Sequence, residues 1–152
     1  MDEAATDNPF APAAFFARAT RRLHAPSARP EGLAGDHVLN PDLALGDIPY
    51  REAAVLIPVV AREPAASIIL TKRTGHLNSH AGQIAFPGGK IEPGDTDAVA
   101  AAIRETGEEI GLGRDAITVV GQLDPYLSRT GYRIVPVLAR VEPAYRLMLN
   151  AD

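Results

Sequence analysis

Apolar residues along the chain fall into two kinds of run. AAVLIPVV (residues 53–60), ASIILTKR (66–73), AITVVGQL (116–123) and YRIVPVLARV (132–141) are rich in Val and Ile and read as strands. The first two, separated by Arg62-Glu63-Pro64, predict a neighbouring pair, a hairpin, buried on both faces near their centres. Two other segments have helical period. Residues 12–24 (PAAFFARATRRLH) space Phe15, Phe16, Ala19 and Leu23 for one face, with Pro12 suited to a first turn and Pro26 and Pro30 ending the segment. In residues 97–110, Val99, Ala102, Ile103, Thr106 and Ile110 share a face at about 100° per residue. Asp97 or Thr96 is suited to cap that helix, and Gly111 to stop it.

Between these elements, residues 31–49 are a Gly/Pro/Asp-rich connection, and residues 74–96 are rich in Gly and Pro without apolar periodicity. A loop of that length in a compact domain is usually functional. The order helix, strand, strand, long loop, helix, strand, strand predicts a mixed α/β domain over residues 31–152, preceded by an N-terminal extension, residues 1–30, with a short helix. The final LMLNAD stops without a closing helix, so the expectation is either an ordered end or a truncated C-terminus.

At 152 residues the chain suffices for one core-bearing domain, and 46% hydrophobic with 22% charged residues is ordinary globular composition. A net charge of −4 offers no basic field for nucleic acid, yet leaves room for a small anionic substrate met through a metal. Cysteine is absent, which excludes disulfides, thiolate chemistry and zinc–sulfur sites and fits a reducing compartment; a cytoplasmic protein is expected. No apolar run approaches the roughly 20 residues that span a bilayer, and Asp2, Glu3 and Asp7 argue against a transit peptide. The expected partner is a small molecule, not nucleic acid or membrane; oligomeric state is not legible.

RETGEEIGL (residues 104–112) raises the chemical question. Glu105 and Glu109 form an i,i+4 pair with Glu108 one position aside, and all three avoid the apolar face. Clustered carboxylates without a counter-charge raise one another's pKa. A hard divalent cation such as Mg2+ relieves this, since it favours carboxylate and water oxygens. Arg104 can orient a glutamate by a charge-assisted hydrogen bond, and the glycine pair in FPGGK (86–90) allows backbone to approach a ligand closely. Spacing alone leaves a metal site and a solvated charged face both open.

GGKIEPGDTDAVAAAIRETGEEIGL resembles the Nudix box, G-x5-E-x7-R-E-U-x-E-E-x-G-U with U a bulky aliphatic residue. Arg104, Glu105, Glu108, Glu109, Gly111 and Leu112 match its second half, and Gly89 its opening glycine. The stretch from Gly89 to Arg104 is one residue longer than the strict box, Asp95 stands for the first glutamate or that residue is shifted, and Thr106 replaces the bulky aliphatic. The resemblance implies a Nudix-type α/β/α sandwich with a mixed β-sheet. It also implies Mg2+ or Mn2+ held by Glu105 and Glu109, with Glu108 and the Gly89 carbonyl next. Glu105 or Glu108 would act as base and Arg104 as orienter.

ILTKRTGHLNSHAGQIAFPGG (69–89) is further similar to L-L-T-x-R-S-x3-R-x3-G-x3-F-P-G-G, the pattern of the family's coenzyme A pyrophosphatase branch. Leu70, Thr71, Arg73, Gly82, Phe86, Pro87, Gly88 and Gly89 match in register, while Asn78 stands where the pattern has arginine. Asparagine cannot supply the bidentate charge of a guanidinium; Arg73, Lys72 or Lys90 would have to compensate. The implied substrate-binding set is Arg73, Asn78, Gly82, Phe86 and Lys90, and the implied reaction is cleavage of coenzyme A or its acyl esters to 3′,5′-ADP and a phosphopantetheine. Asn78 also suits a Nudix enzyme acting on another nucleoside diphosphate derivative. A non-catalytic Nudix binding domain is the further alternative.

Overall fold

The apolar runs 53–60 and 132–141 lie side by side as parallel strands at the centre of a sheet, the first extended to Arg51. The computed structural model describes residues 8–40, 49–73 and 82–149. In chain order the elements are α1 (Pro12–Arg22), β1 (Ala34–Gly35), the one-turn α2 (Asp36–Leu39), β2 (Arg51–Val60), β3 (Ser67–Ile68), β4 (Thr71–Lys72), β5 (Ile84–Ala85), β6 (Gly88–Lys90), α3 (Ala98–Ile110), a 3-10 turn (Arg114–Ala116), β7 (Ile117–Gln122), β8 (Tyr126–Leu127) and β9 (Tyr132–Val141). Antiparallel β6 and β3 share the outer edge of β2, and antiparallel β8 and β7 share that of β9.

Alternation along β2 and β9 gives each sheet face its own helix. Ala54, Leu56, Val135, Val137 and Ala139 pack with Ala101 and Ala102 of α3. Val59, Ala61 and Leu138 pack with Phe16 of α1, with Phe15, Ala19 and Leu23 alongside. The result is the expected α/β/α sandwich around a mixed sheet. Helix α1 ends at Arg22, two residues short of the expected bound, because His24 exchanges backbone hydrogen bonds with Gln122 and joins the edge of β7.

The expected hairpin between residues 53–60 and 66–73 forms only at its turn end, and the length of the second strand is a correction. Only Ser67 and Ile68 pair with β2; Thr71 and Lys72 instead pair with β5 in a separate two-stranded sheet. Continuing along β2 would bring the segment to Val55, where β6 already pairs. Ile68 and Leu70 are consequently 52% and 51% exposed, not buried on both faces. The long loop of residues 74–96 likewise contains β5 (Ile-Ala) and β6 (Gly-Gly-Lys), two and three residues long and too short to show a strand period.

Candidate active site

Helix α3 forms as its sequence predicts. The Asp97 carboxylate accepts the Ala100 N–H at 2.8 Å, and Gly111 closes the helix in the left-handed region at φ 67°. Burial of Ile103 and Ile110, worth about 1.5–3 kcal/mol each, outweighs the roughly 1 kcal/mol cost of Gly107 in the helix interior. Thr106 is fully buried, and its hydroxyl donates to the Ala102 carbonyl at 2.7 Å, so the smaller, polar side chain leaves no unsatisfied group. The opposite edge of α3 meets β6. A Cβ on Gly88 would overlap the Ala54 carbonyl of β2, and one on Gly89 would lie 2.6 Å from the Glu105 carboxyl carbon. The glycine pair therefore seats β6 against β2 and the Glu105 carboxylate against β6.

Arg104 organises the surrounding charge. Its Nε and Nη2 each donate to the Asp95 carboxylate at 2.9 Å, a bidentate pair, and Asp95 also accepts the Glu92 N–H at 2.8 Å. Nη1 donates to Glu105 at 3.1 Å and to Glu108 at 3.3 Å, and Nη2 also reaches the Lys90 carbonyl at 3.1 Å. The hydrogen bond from Arg104, with the Glu92 N–H behind it, holds the Asp95 carboxyl down at about 2, while Asp95 pushes the Arg104 pKa further up. One guanidinium thus fixes two of the three glutamates, with Asp95 fixing the guanidinium.

Glu109 lies apart from that grip. Burial raises its pKa and the nearby Glu105 and Glu108 charges add to the rise, against a hydrogen bond from the Gly88 backbone and the positive charge of Arg73. In an acid whose pKa is raised by folding, the charged form is penalised; stability is intact below the unfolded-state pKa and is lost as pH rises from there through the folded pKa. Glu109→Gln is therefore expected to raise the melting temperature of the metal-free protein at neutral pH, a gain that disappears on acidification. An unchanged or lower melting temperature at pH 7 would contradict the strained carboxylate.

Of the other sequence-derived candidates, Arg73 directly follows β4, close enough to Glu109 to act on its charge. Gly82 supplies a turn at φ 77° whose N–H returns to the Arg73 carbonyl at 3.0 Å. Phe86 is half-buried beside buried Pro87, and Lys90 is exposed, offering its backbone carbonyl to Arg104. Asn78 lies outside the described residues. Among the described residues no three carboxylates or imidazoles converge to hold a metal ion by themselves. Mg2+ typically uses only one or two protein carboxylates and completes its octahedron with water and substrate phosphate. The Glu105 carboxylate on Gly89, with Glu109 beside it, fits that requirement. Asp95 as the anchor of Arg104 was foreshadowed only by its position six residues after Gly89.

The NUDIX domain profile matches residues 50–150, and the chain belongs to that family. Over 106 residues it is 44% identical to the uncharacterized Nudix hydrolase NudL of Escherichia coli O7:K1 (strain IAI39), which covers 70% of this chain and 55% of that relative. It is 43% identical over the same length to NudL of Shigella boydii serotype 4 (strain Sb227). The chain spans about half the length of these relatives, 55% in each case. Among solved structures, the Nudix hydrolase RenU of M. smegmatis superposes with a TM-score of 0.55 at 21% identity, covering 64% of this chain and 65% of that one. A C. elegans Ap4A hydrolase gives 0.53 at 22% identity, covering 66% and 73%. At these identities the likeness establishes the Nudix fold. No helix among the described residues is long and apolar enough to cross a membrane.

Proposed function

We propose that the protein is a metal-dependent hydrolase of a diphosphate linkage that cleaves coenzyme A or acyl-coenzyme A to 3′,5′-ADP and (acyl-)4′-phosphopantetheine. The observation that carries the reaction class is the seating of the Glu105 carboxylate on Gly89 with Glu109 beside it and Arg104 gripping Glu105 and Glu108. In this reading Glu105 and Glu109, assisted by Glu108 and the Gly89 carbonyl, hold Mg2+ or Mn2+. When bound, such a cation neutralises diphosphate charge and acidifies water.

The chain's own part is positional and protonic. Arg73 pairs with a phosphate oxygen, and Phe86 walls the pocket. Water adds to one phosphorus, the bridging P–O bond breaks, and the proton that water loses passes to Glu105 or Glu108. Arg104 keeps those two carboxylates oriented, and Asp95 keeps Arg104 oriented. The coenzyme A assignment rests on the in-register match from Leu70 to Gly89, with Arg73 beside the glutamates as its structural support.

Asn78 in place of arginine favours a second reading, the same chemistry on another nucleoside diphosphate derivative. Incubation with coenzyme A and with a panel of nucleoside diphosphate derivatives, each with Mg2+ or Mn2+, separates the two. Release of 3′,5′-ADP from coenzyme A in preference to turnover of the panel is expected; turnover of a panel compound with none from coenzyme A would end the narrower assignment.

A further inference from the structure

The two faces of the central strands are covered unequally. On the α3 face Ala54, Leu56, Val135 and Val137 are all buried. The other face carries the odd-numbered residues of β2 and the even-numbered residues of β9. Helix α1 covers its far end, where Val59 and Leu138 pack with Phe16. At the starts of the strands Val55, Tyr132 and Ile134 are only half-buried, and neither Val55 nor Ile134 belongs to the cluster under α1.

Cross-strand register extends this floor in both directions. Lys90 and Gly88 of β6 stand opposite Ala53 and Val55, and Tyr126 of β8 stands opposite Ile134, so all share one face. Gly89, between Gly88 and Lys90, faces the other way, where an added Cβ would meet Glu105. The carboxylates of the diphosphate site and this apolar floor therefore flank the same three-residue edge strand.

The charges around the floor favour an anion. Arg51 lies over the Tyr132 ring, its guanidinium carbon 4.3 Å from the centroid, and donates from Nη2 to the Thr130 carbonyl at 3.4 Å. Those contacts position a side chain that has further N–H donors to offer. Exposed Lys90 adds a second cation. Of the neighbouring carboxylates, Glu52 is on the opposite face, paired with Arg133 at 3.0 Å, and Asp36 accepts the Tyr126 hydroxyl.

We infer that this face receives the adenosine half of coenzyme A, with the base on the Val55–Ile134 floor against the Tyr132 ring and the 3′-phosphate on Arg51. Strand β9 is two strand spacings, about 10 Å, from β6, a span that the ribose and 5′-phosphate bridge to reach the carboxylates. A planar base suits an aromatic wall and an apolar floor, and a guanidinium backed by a ring is suited to a phosphate. The inference rests on the coenzyme A reading for its ligand. It adds the residues that distinguish coenzyme A from nucleotides without a 3′-phosphate.

The test is titration of the full chain with 3′,5′-ADP and with 5′-AMP in Mg2+, followed by backbone amide NMR. Neither nucleotide contains a diphosphate, so binding is read without hydrolysis. Saturable shifts at Ala53, Val55 and Ile134 are expected from both, with 3′,5′-ADP about tenfold tighter through charge-assisted bonds to its 3′-phosphate. Arg51→Ala is expected to erase that preference and leave 5′-AMP nearly as tight. Tyr132→Ala is expected to weaken both by about tenfold through lost stacking, whereas Tyr132→Phe keeps the ring and binds both as wild type does. Equal affinities in wild type, a preference that survives Arg51→Ala, or undiminished binding in Tyr132→Ala would each overturn the inference. So would shifts confined to Gly88, Gly89 and the α3 glutamates. Coenzyme A left uncleaved alongside the expected titrations would remove the hydrolase assignment and leave this site standing.

Discussion

Glu105→Gln is expected to lower diphosphate hydrolysis about 10²–10⁴-fold, the range for loss of a positioned acid–base group, with the melting temperature essentially unchanged. Glutamine keeps the shape that packs on Gly89 and keeps an oxygen for the Arg104 N–H, now 3.1 Å away. What it removes is the negative charge and the proton-accepting oxygen. Glu105 is on the edge of α3 and not in the face formed by Ala102, Ile103, Thr106 and Ile110, so the core is untouched. Steady-state release of 3′,5′-ADP with Mg2+, alongside thermal unfolding by circular dichroism, separates a lost function from a lost fold. Undiminished turnover in a folded Glu105→Gln protein would remove this residue from the site. Running Glu108→Gln in parallel addresses the base: the variant whose loss flattens the acidic limb of the pH–rate profile carries the proton. Glu108 is the more exposed of the two, with a 59% exposed side chain against 17%.

The legible parts of this protein are those whose cause is local. Helix α3 could be read because cap, apolar period and stop lie within fifteen residues, from Asp97 to Gly111. Strands β2 and β9 could be read because both faces are buried, which demands unbroken apolar runs. The strand expected over 66–73 had the same composition but pairs with β2 only at Ser67 and Ile68, because β6 occupies the rest of that edge, a contact no local pattern encodes. The same division runs through the site. The glutamates and their spacing were visible; the grip of Asp95 on Arg104, and the hydrogen bond from Gln122 to the Pro26 carbonyl ninety-six residues away, depend on tertiary structure. Gly107 is a glycine in a helix interior, yet an added Cβ would meet nothing nearer than the Leu112 carbonyl at 3.9 Å, so there is room for a side chain there.

Gly88→Ala and Gly89→Ala are expected to fail in different ways, although the residues are neighbours on one strand. Neither has a positive φ, so the constraint on each is space and not backbone conformation. A methyl group at position 88 would overlap the Ala54 carbonyl and sit 2.7 Å from the Val55 Cα. Both are backbone atoms of a central strand pinned between β6 and β9, and they cannot move aside without breaking the ladder. Overpacking of this kind costs about 1–3 kcal/mol, which denaturant unfolding will register as a lower midpoint. At position 89 the obstruction is the Glu105 carboxylate, the free end of a rotatable side chain, which can swing away at little cost to the fold. The carboxylate then leaves its seat, and misplacement by about 1 Å is enough to cost on the order of 10²-fold in rate. Gly89→Ala is therefore expected to melt near wild type and turn over poorly, whereas Gly88→Ala is expected to be unstable first. Unchanged turnover in Gly89→Ala would mean that the contact between Gly89 and Glu105 is packing alone. A loss of stability equal to that of Gly88→Ala would mean that the carboxylate is held too firmly to yield.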